Sequence, residues 1–347
     1  MATVDWSRRS RPADSVLDTA GFTPLVRLGR VTNSVDADIM LKLEYFGPSG
    51  SVKDRILPHI VSEAERRGDL RPGMSLIEGT TGNTGIATAM TAAARGYPAV
   101  IVMPEGMSDE RKKTIRAYGA ELVLTPGAES DVDLVLDKVR ELKAARPGAY
   151  FEINQFSNTD NITAHYATTG PEIWEQTGGA IDAFIDAQGT GGTLTGAGRY
   201  LKDRKPDIQI FAIEPSECPI LAGGGWGPHR IEGIGDGFVP DNLHLDLLEG
   251  VVEVSSDEAI AMARRLSREE GIFCGISSGC NVAGAIKLAM ARPDIRRIVT
   301  VASDNGLRYL STELCGEPEA LDVPNRDHPI DAATQERLAA VHLDVIQ

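Results

Sequence analysis

Cysteine is scarce in this chain, long apolar runs are missing, and positive charge is outnumbered; each shortage excludes a class of protein. Four cysteines, Cys218, Cys274, Cys280 and Cys315, are scattered over the C-terminal half. Cys274 and Cys280 lie close, but their spacing fits no zinc pattern and no histidine stands near them, so no metal site is expected. Reduced thiols in a cytoplasmic protein are the expectation. Lys and Arg total 35 against 50 Asp and Glu, a formal charge of −15. That balance argues against nucleic acid or an anionic membrane surface as the main partner, since both select a basic footprint. Met1 to Asp14 mixes charges without the apolar core of a signal peptide, and no apolar run is long enough to span a bilayer.

What remains is the ordinary balance of a folded chain: 347 residues, 42% hydrophobic and 24% charged, enough for one large domain or two of usual size. From residue 74 onward, short apolar strands alternate with amphipathic helices. Ser75-Leu76-Ile77, Ala99 to Met103, Leu122-Val123-Leu124 and Tyr150 to Ile153 read as strands. Helices are expected over Ile86 to Arg95, from an N-cap at Ser108 through Arg116, and over Asp131 to Ala145. The pattern resumes with strands at Ala183-Phe184-Ile185, Ile208 to Ile213 and Ile298 to Val301, and helices to about Leu201, over Ser256 to Glu270, and over Val282 to Ala291. Repeated strand–turn–helix units imply α/β architecture, with parallel sheets covered by helices on both faces. Ligands in such folds bind beyond the carboxyl ends of the strands. Pro215 to Leu243, with seven glycines between Gly223 and Gly237, reads as loops around a cleft.

Four turns at strand ends carry residues suited to chemistry. Gly50-Ser51-Val52-Lys53-Asp54-Arg55 follows the strand-like Met40 to Glu44. A lysine at a sheet mouth beside a helix start loses its proton more readily, and a neutral amine is what condensation with an aldehyde requires. Gly189-Thr190-Gly191-Gly192-Thr193 lies between a strand and a helix and suits a phosphate monoester, with close backbone amides, hydroxyls and a helix dipole. It matches neither the ATP-type phosphate loop nor the dinucleotide glycine pattern. Thr80-Thr81-Gly82-Asn83-Thr84-Gly85 could hold a carboxylate, or simply cap a helix. Gly275-Ile276-Ser277-Ser278-Gly279 precedes an alanine-rich helix, and a capping serine is its plain alternative.

Taken together and in order, these turns resemble the cysteine synthase and cystathionine β-synthase family, the pyridoxal-phosphate enzymes of fold type II. The resemblance runs from about Leu17 to Thr312. It includes Thr23 to Leu28, Ser51 to Arg55, Asn154 to Asn158, Thr168 to Trp174, Gly233-Ile234-Gly235, Gly275 to Gly279 and Arg308 to Thr312. It implies two doubly wound α/β domains with the active site in the cleft between them. Residues 46–157 would form the smaller, 12–45 with 158–315 the larger, and 316–347 a C-terminal tail. It implies pyridoxal 5'-phosphate as cofactor, with Lys53 holding its aldehyde and serving as acid and base at the substrate α-carbon. Gly189, Thr190, Gly191, Gly192 and Thr193 would cradle the phosphate, Asn83 would bond the ring hydroxyl, and Ser277 would face the ring nitrogen. Thr80, Thr81, Gly82, Thr84 and Gln155 would bind the substrate carboxylate, with Gly235 in a loop near the substrate amine. A homodimer acting on small molecules is implied too.

The implied reaction is β-replacement: O-acetylserine or O-phosphoserine loses its β-substituent, and sulfide adds to give L-cysteine. Several residues depart from the family pattern, among them Thr81, Gln188, Thr159-Asp160, and Asp236 after Gly235. They leave the cofactor set whole and the nucleophile open. Cystathionine, a 2,3-diaminopropionate-type product, or β-lyase chemistry on cysteine or serine is the alternative. A binding protein without catalysis is the reading from another class.

Overall fold

A computed structural model describes residues 4–127, 131–316 and 330–347. In chain order the strands are β1 (Leu25–Arg27), β2 (Asp38–Leu43), β3 (Ser75–Gly79), β4 (Ala99–Pro104), β5 (Glu121–Thr125) and β6 (Tyr150–Glu152). They continue with β7 (Ala183–Ala187), β8 (Gln209–Pro215), β9 (Gly250–Val254), β10 (Arg297–Ala302) and β11 (Asp344–Ile346). The helices are α1 (Ile56–Arg67), α2 (Asn83–Arg95), α3 (Asp109–Ala117), α4 (Val132–Ala145) and α5 (Asp160–Ala167). After them come α6 (Thr169–Gln176), α7 (Gly192–Arg204), α8 (Ser256–Arg265), α9 (Ile276–Ala291) and α10 (Ala332–Ala339).

The strands form two sheets. One has seven strands in the order β1-β2-β10-β7-β8-β9-β11, the other four in the order β5-β4-β3-β6. All pairings are parallel except β1 with β2, where Leu25 faces Lys42. Parallel pairing needs a crossover between strands, and the helices supply it. Strand side chains alternate between faces, which is why each sheet has two apolar layers. In the larger sheet Ile39, Leu41, Ile185 and Phe211 pack with α8 and α9, while Met40, Phe184, Ile210 and Ala212 pack with Ile173 and Leu194 of α6 and α7. In the smaller sheet Leu76 and Ile101 face α1 and α2, whereas Ile77, Val100 and Val102 face Val135 and Val139 of α4. The architecture is the α/β one expected, with parallel sheets buried on both faces.

Several boundaries differ from the sequence reading, and the differences matter. Helix α2 starts at Asn83 rather than Ile86, and α9 at Ile276 rather than Val282. Asn83 and Ser277 therefore sit in first helical turns, where backbone amides are unpaired. Ser108 stands at the N-cap of α3, but its hydroxyl donates to the Arg308 carbonyl (2.9 Å) instead of capping. The helix expected over Ser256 to Glu270 is α-helical to Arg265 and ends in a π turn, Leu266–Glu270. Of the expected C-terminal tail, residues 317–329 lie outside the described residues; the remainder holds α10 and β11, and β11 extends the larger sheet by pairing with β9.

A buried ion-pair cluster joins the Lys53 turn to β2 and α6. Arg55 ends the 3₁₀ turn Val52–Arg55 and donates to Glu44 Oε1 (2.8 Å) and to both Glu172 oxygens (2.8 and 2.7 Å). Lys42 of β2 donates to Glu172 (2.7 Å) and to the Thr23 carbonyl (2.7 Å). Burial pushes the Glu172 carboxyl up, but the Arg55 and Lys42 charges and hydrogen bonds outweigh it and leave it at about 2. A carboxyl held below its usual range stabilises the fold above its unfolded pKa, and that contribution fades as pH falls from about 4.5 toward 2. Arg55→Ala leaves buried Glu44 without its cation and Glu172 with Lys42 alone, and should lower the unfolding free energy by about 3–5 kcal/mol at neutral pH. In urea titrations at several pH values, the deficit should shrink as pH falls through that window.

Candidate active site

The Lys53 turn is built by its own sequence. Ser51 caps the 3₁₀ turn, its hydroxyl accepting from the Lys53 amide (3.4 Å), and Asp54 returns a bond to the Ser51 amide. The same Asp54 carboxylate accepts the Ser49 (2.8 Å) and Gly50 (3.1 Å) amides. The Val52 amide donates to the Ser303 carbonyl (2.8 Å), which ties the turn to the end of β10. Lys53 thus projects into a cavity of about 880 Å³, part of it open to solvent. Burial lowers its pKa, while Asp186, Asp236 and Asp304 push it back up.

The cavity wall collects the sequence-predicted residues from five separate segments, the four turns and Gln155. Lys53, Thr80, Thr81, Gly82, Asn83, Thr84, Gln155, Gly189, Thr190, Gly191, Thr193 and Ser277 all line it. Two predicted residues do not. Gly192 lies behind the wall against Asn161 in the first turn of α7. Gly235 is buried beside Pro215 and His229, its amide donating to the Gln188 carbonyl (3.1 Å) and its carbonyl meeting His229 Nε2 (3.0 Å). Its neighbours Gly233, Ile234 and Asp236 face the cavity instead.

The turn before α7 fits a phosphate. Gly191 has φ +79°, a left-handed conformation, and a Cβ there would meet Leu243 at 2.6 Å. A Cβ on Gly189 would come within 2.7 Å of the Gly233 carbonyl oxygen. Bare backbone at both points lets a ligand approach the main-chain amides at the N-terminus of α7, where Thr190 and Thr193 line the cavity. Across the cavity, the amide-rich turn before α2 makes a second anion-holding surface, with Gln155 beside it.

Several residues that hold this wall escaped the sequence reading. Asn161, fully buried on α5, donates to the Gln155 carbonyl (2.9 Å) and to Thr190 Oγ1 (3.0 Å), so one side chain links the two anion-holding surfaces. Glu78, at the end of β3, accepts the Asn154 (2.9 Å) and Gln155 (3.4 Å) amides; burial raises its pKa to about 8. Asn154 itself has φ +52°, which asparagine tolerates and which aims Gln155 at the cavity edge. Asp304 accepts from Asn83 Nδ2 (2.8 Å) and from the Tyr309 hydroxyl (2.8 Å), and Arg308 donates to Asn83 Oδ1. Arg111 lines the cavity in an ion pair with Glu232, 4.8 Å above the Tyr309 ring. A single sequence shows these residues only as ordinary charges and amides, since their partners lie far away along the chain.

Comparison with known proteins settles the family. Residues 16–304 match the family model described as pyridoxal-phosphate dependent enzyme. The chain belongs to that family. A cysteine synthase of Staphylococcus aureus (strain Mu50 / ATCC 700699) is 47% identical over 305 residues, covering 88% of this chain and 97% of that protein. Among solved structures, a cysteine synthase from Entamoeba histolytica superimposes with a TM-score of 0.85 at 38% identity, covering 99% of this chain and all of that one. An O-ureido-L-serine synthase gives a TM-score of 0.81 at 42% identity, covering 90% and 98%. The fold is thus type II of the pyridoxal-phosphate enzymes, and pyridoxal phosphate is the cofactor.

The residues present fit that group: a half-buried amine for its aldehyde, a side-chain-free cradle for its phosphate, and Asn83 and Ser277 in helical first turns on the same cavity. Gly191→Ala should weaken cofactor binding by about 10- to 100-fold, the cost of one strained residue plus displacement of Leu243. Equilibrium titration of the cofactor-free variant against pyridoxal phosphate, followed by absorbance, measures it.

Proposed function

We propose that this enzyme is a cysteine synthase, replacing the β-substituent of O-acetyl-L-serine or O-phospho-L-serine by sulfide to give L-cysteine. What carries the reading is one half-buried amine, Lys53, lining a single cavity with the turns before α2 and α7, in a chain 47% identical to a cysteine synthase over 88% of its length. Bound pyridoxal phosphate supplies an aldehyde for the substrate's amino group and a ring that spreads the charge developing at the α-carbon. The protein's tasks are then separate and local.

We assign the phosphate to the turn Gly189 to Thr193, with Gly192 behind its wall, and the substrate carboxylate to Thr80, Thr81, Gly82, Thr84 and Gln155. Thr84 donates its hydroxyl to Gln155 Oε1, which leaves the Gln155 amide group as a donor toward the carboxylate. Lys53 takes the α-proton while acetate or phosphate leaves with its bonding electrons, and it returns a proton to the α-carbon once sulfide has bonded at the β-carbon; burial lowers its pKa and so favours the neutral amine. Ser277 offers the ring nitrogen a neutral hydroxyl, which does not hold a proton there as a carboxylate would, and this favours prompt loss of the β-substituent. The segment Gly233-Ile234-Gly235 closes the cavity over the substrate amine, with Gly235 serving as its buried hinge point.

A homodimer and a cytoplasmic setting belong to the same proposal. Phe46, Leu307 and Leu310 are exposed apolar side chains on segments drawn together by the Arg308 bond to the Ser49 carbonyl, a patch suited to self-association. All four cysteines are free thiols, which suits a reducing compartment.

A second reading keeps the donor half and changes the nucleophile, giving cystathionine or a diaminopropionate-type product. Asp236 in the cavity wall favours it, because a carboxylate repels anionic hydrosulfide and attracts an ammonium group on the nucleophile. Offering O-acetylserine, O-phosphoserine and serine in turn with sulfide, and weighing the product, tests the first reading. Cysteine formation by the wild type but not by Lys53→Ala is expected; no cysteine from any donor, with product from an amine or thiol amino acid, would establish the second. Gln155→Ala should raise the donor KM by about tenfold with a smaller change in kcat, as loss of one bond to a charged group predicts.

A further inference from the structure

The cavity floor holds a second titratable group for which the reaction above has no use. Asp186 is the penultimate residue of β7, three residues before Gly189, and is buried while lining the same cavity as Lys53. It is not a loosely placed surface acid. Asn281, fully buried one helical turn beyond Ser277 on α9, donates to Asp186 Oδ1 (2.7 Å). The same Asn281 donates to the Val301 carbonyl (2.7 Å) and accepts the Ala187 amide (2.7 Å). Three bonds from one side chain thus bind the ends of β7 and β10 together and fix the carboxylate between them.

A buried carboxylate is costly unless an opposite charge faces it. The charged and titratable groups around Asp186 come from every packed element. Lys53 faces it from the 3₁₀ turn, Glu44 from the end of β2, and the Cys280 thiol from α9. Asp236, Glu232 and Arg111 share the cavity wall, and Asp304 adds its charge at Lys53. Arg111 is occupied by Glu232 and lies over Tyr309. Among these, Lys53 is the cation whose charge acts on Asp186. Resting on the reading of Lys53 as the reacting amine, we propose that Asp186 is a positioning residue: its fixed carboxylate is the counter-charge that keeps a proton available on Lys53 in a pocket that would otherwise strip it.

The assignment explains how one half-buried lysine can act in both directions. Burial alone drives Lys53 toward the neutral amine, good for taking a proton and poor for giving one back. A carboxylate on the same cavity stabilises the ammonium form and so opposes the pull of burial. The coupling runs both ways: burial raises Asp186 to about 7 against the opposing pull of Asn281 and Lys53.

Competitive trace acetylation of the full-length, cofactor-free chain tests this without reference to donor or nucleophile. The rate at Lys53 is followed against pH by peptide mass, with the exposed Lys113 as internal standard. Asp186→Asn, which keeps the side-chain shape, should move the Lys53 midpoint down by about one pH unit and leave Lys113 unchanged. Asp186→Ala should move it the same way; an unmoved or raised midpoint in the folded variants overturns the proposal. Should neither variant fold, the wild-type curve decides. A shoulder near pH 7, where Asp186 titrates, supports the coupling, and a single-step curve opposes it. If the shift appears while no cysteine is made, the functional reading fails and this one stands.

Discussion

Everything at the cleft hangs on Arg55. It stands two residues after Lys53, and its guanidinium is clamped by Glu44 at the end of β2 and Glu172 of α6. Three elements from distant parts of the sequence are thereby held at one point, and Lys42 and Thr23 complete the cluster. Desolvating so many charges is offset only when each finds its partner with good geometry, so the cluster tolerates one arrangement of the backbone. That arrangement fixes where the Lys53 turn sits relative to the larger sheet. The amine is mobile in its side chain and rigid in its base.

The cavity then follows from a repeated local device. The ends of β3 in the smaller sheet and of β7 and β10 in the larger all supply residues to the cavity, and three helices start beside it: α2, α7 and α9. A helix start exposes unpaired amides and a partial positive charge, so three such starts around a lysine make an anion-receptive chamber. Side-chain amides hold the chamber in shape. Asn161 joins the Gln155 segment to Thr190, Asn242 donates to the same Gln155 carbonyl (2.8 Å), and Asn281 joins β7 to β10. Asparagine suits this work because one short side chain carries both donor and acceptor.

Much of this was legible in the sequence. The alternation of apolar runs and amphipathic helices gave the parallel α/β fold, and the glycine and threonine turns marked the points where strands end. Helix starts were read late at α2 and α9 because Thr80 to Gly85 and Gly275 to Gly279 look like loops, being rich in residues of low helix propensity. The amide hubs and the Arg55 cluster were invisible for a different reason. Glu172 and Arg55 are 117 residues apart, as Asn83 and Asp304 are 221 apart, and no local pattern records such meetings. Asp186 is the sharpest case: inside an apolar strand run it reads as an interruption, and only the fold shows Asn281 beneath it and a cavity before it.

The charges around the cavity constrain how the cofactor is held. The lining cations among the described residues are Lys53 and Arg111, against the carboxylates Asp186, Asp236 and Glu232. Arg111 is already paired with Glu232, so the phosphate end meets no side-chain cation and must be held by backbone amides, hydroxyls and the α7 dipole. Backbone donors cannot swing away or titrate, and they leave the only free-moving cation at the other end, where the aldehyde must react. A lysine in the phosphate turn would compete with Lys53 for the same anionic ligand and for the same aldehyde. On the proposed assignment, keeping that turn to glycine and threonine serves selectivity as much as affinity, because it would favour one orientation of the cofactor, with phosphate at α7 and aldehyde at Lys53.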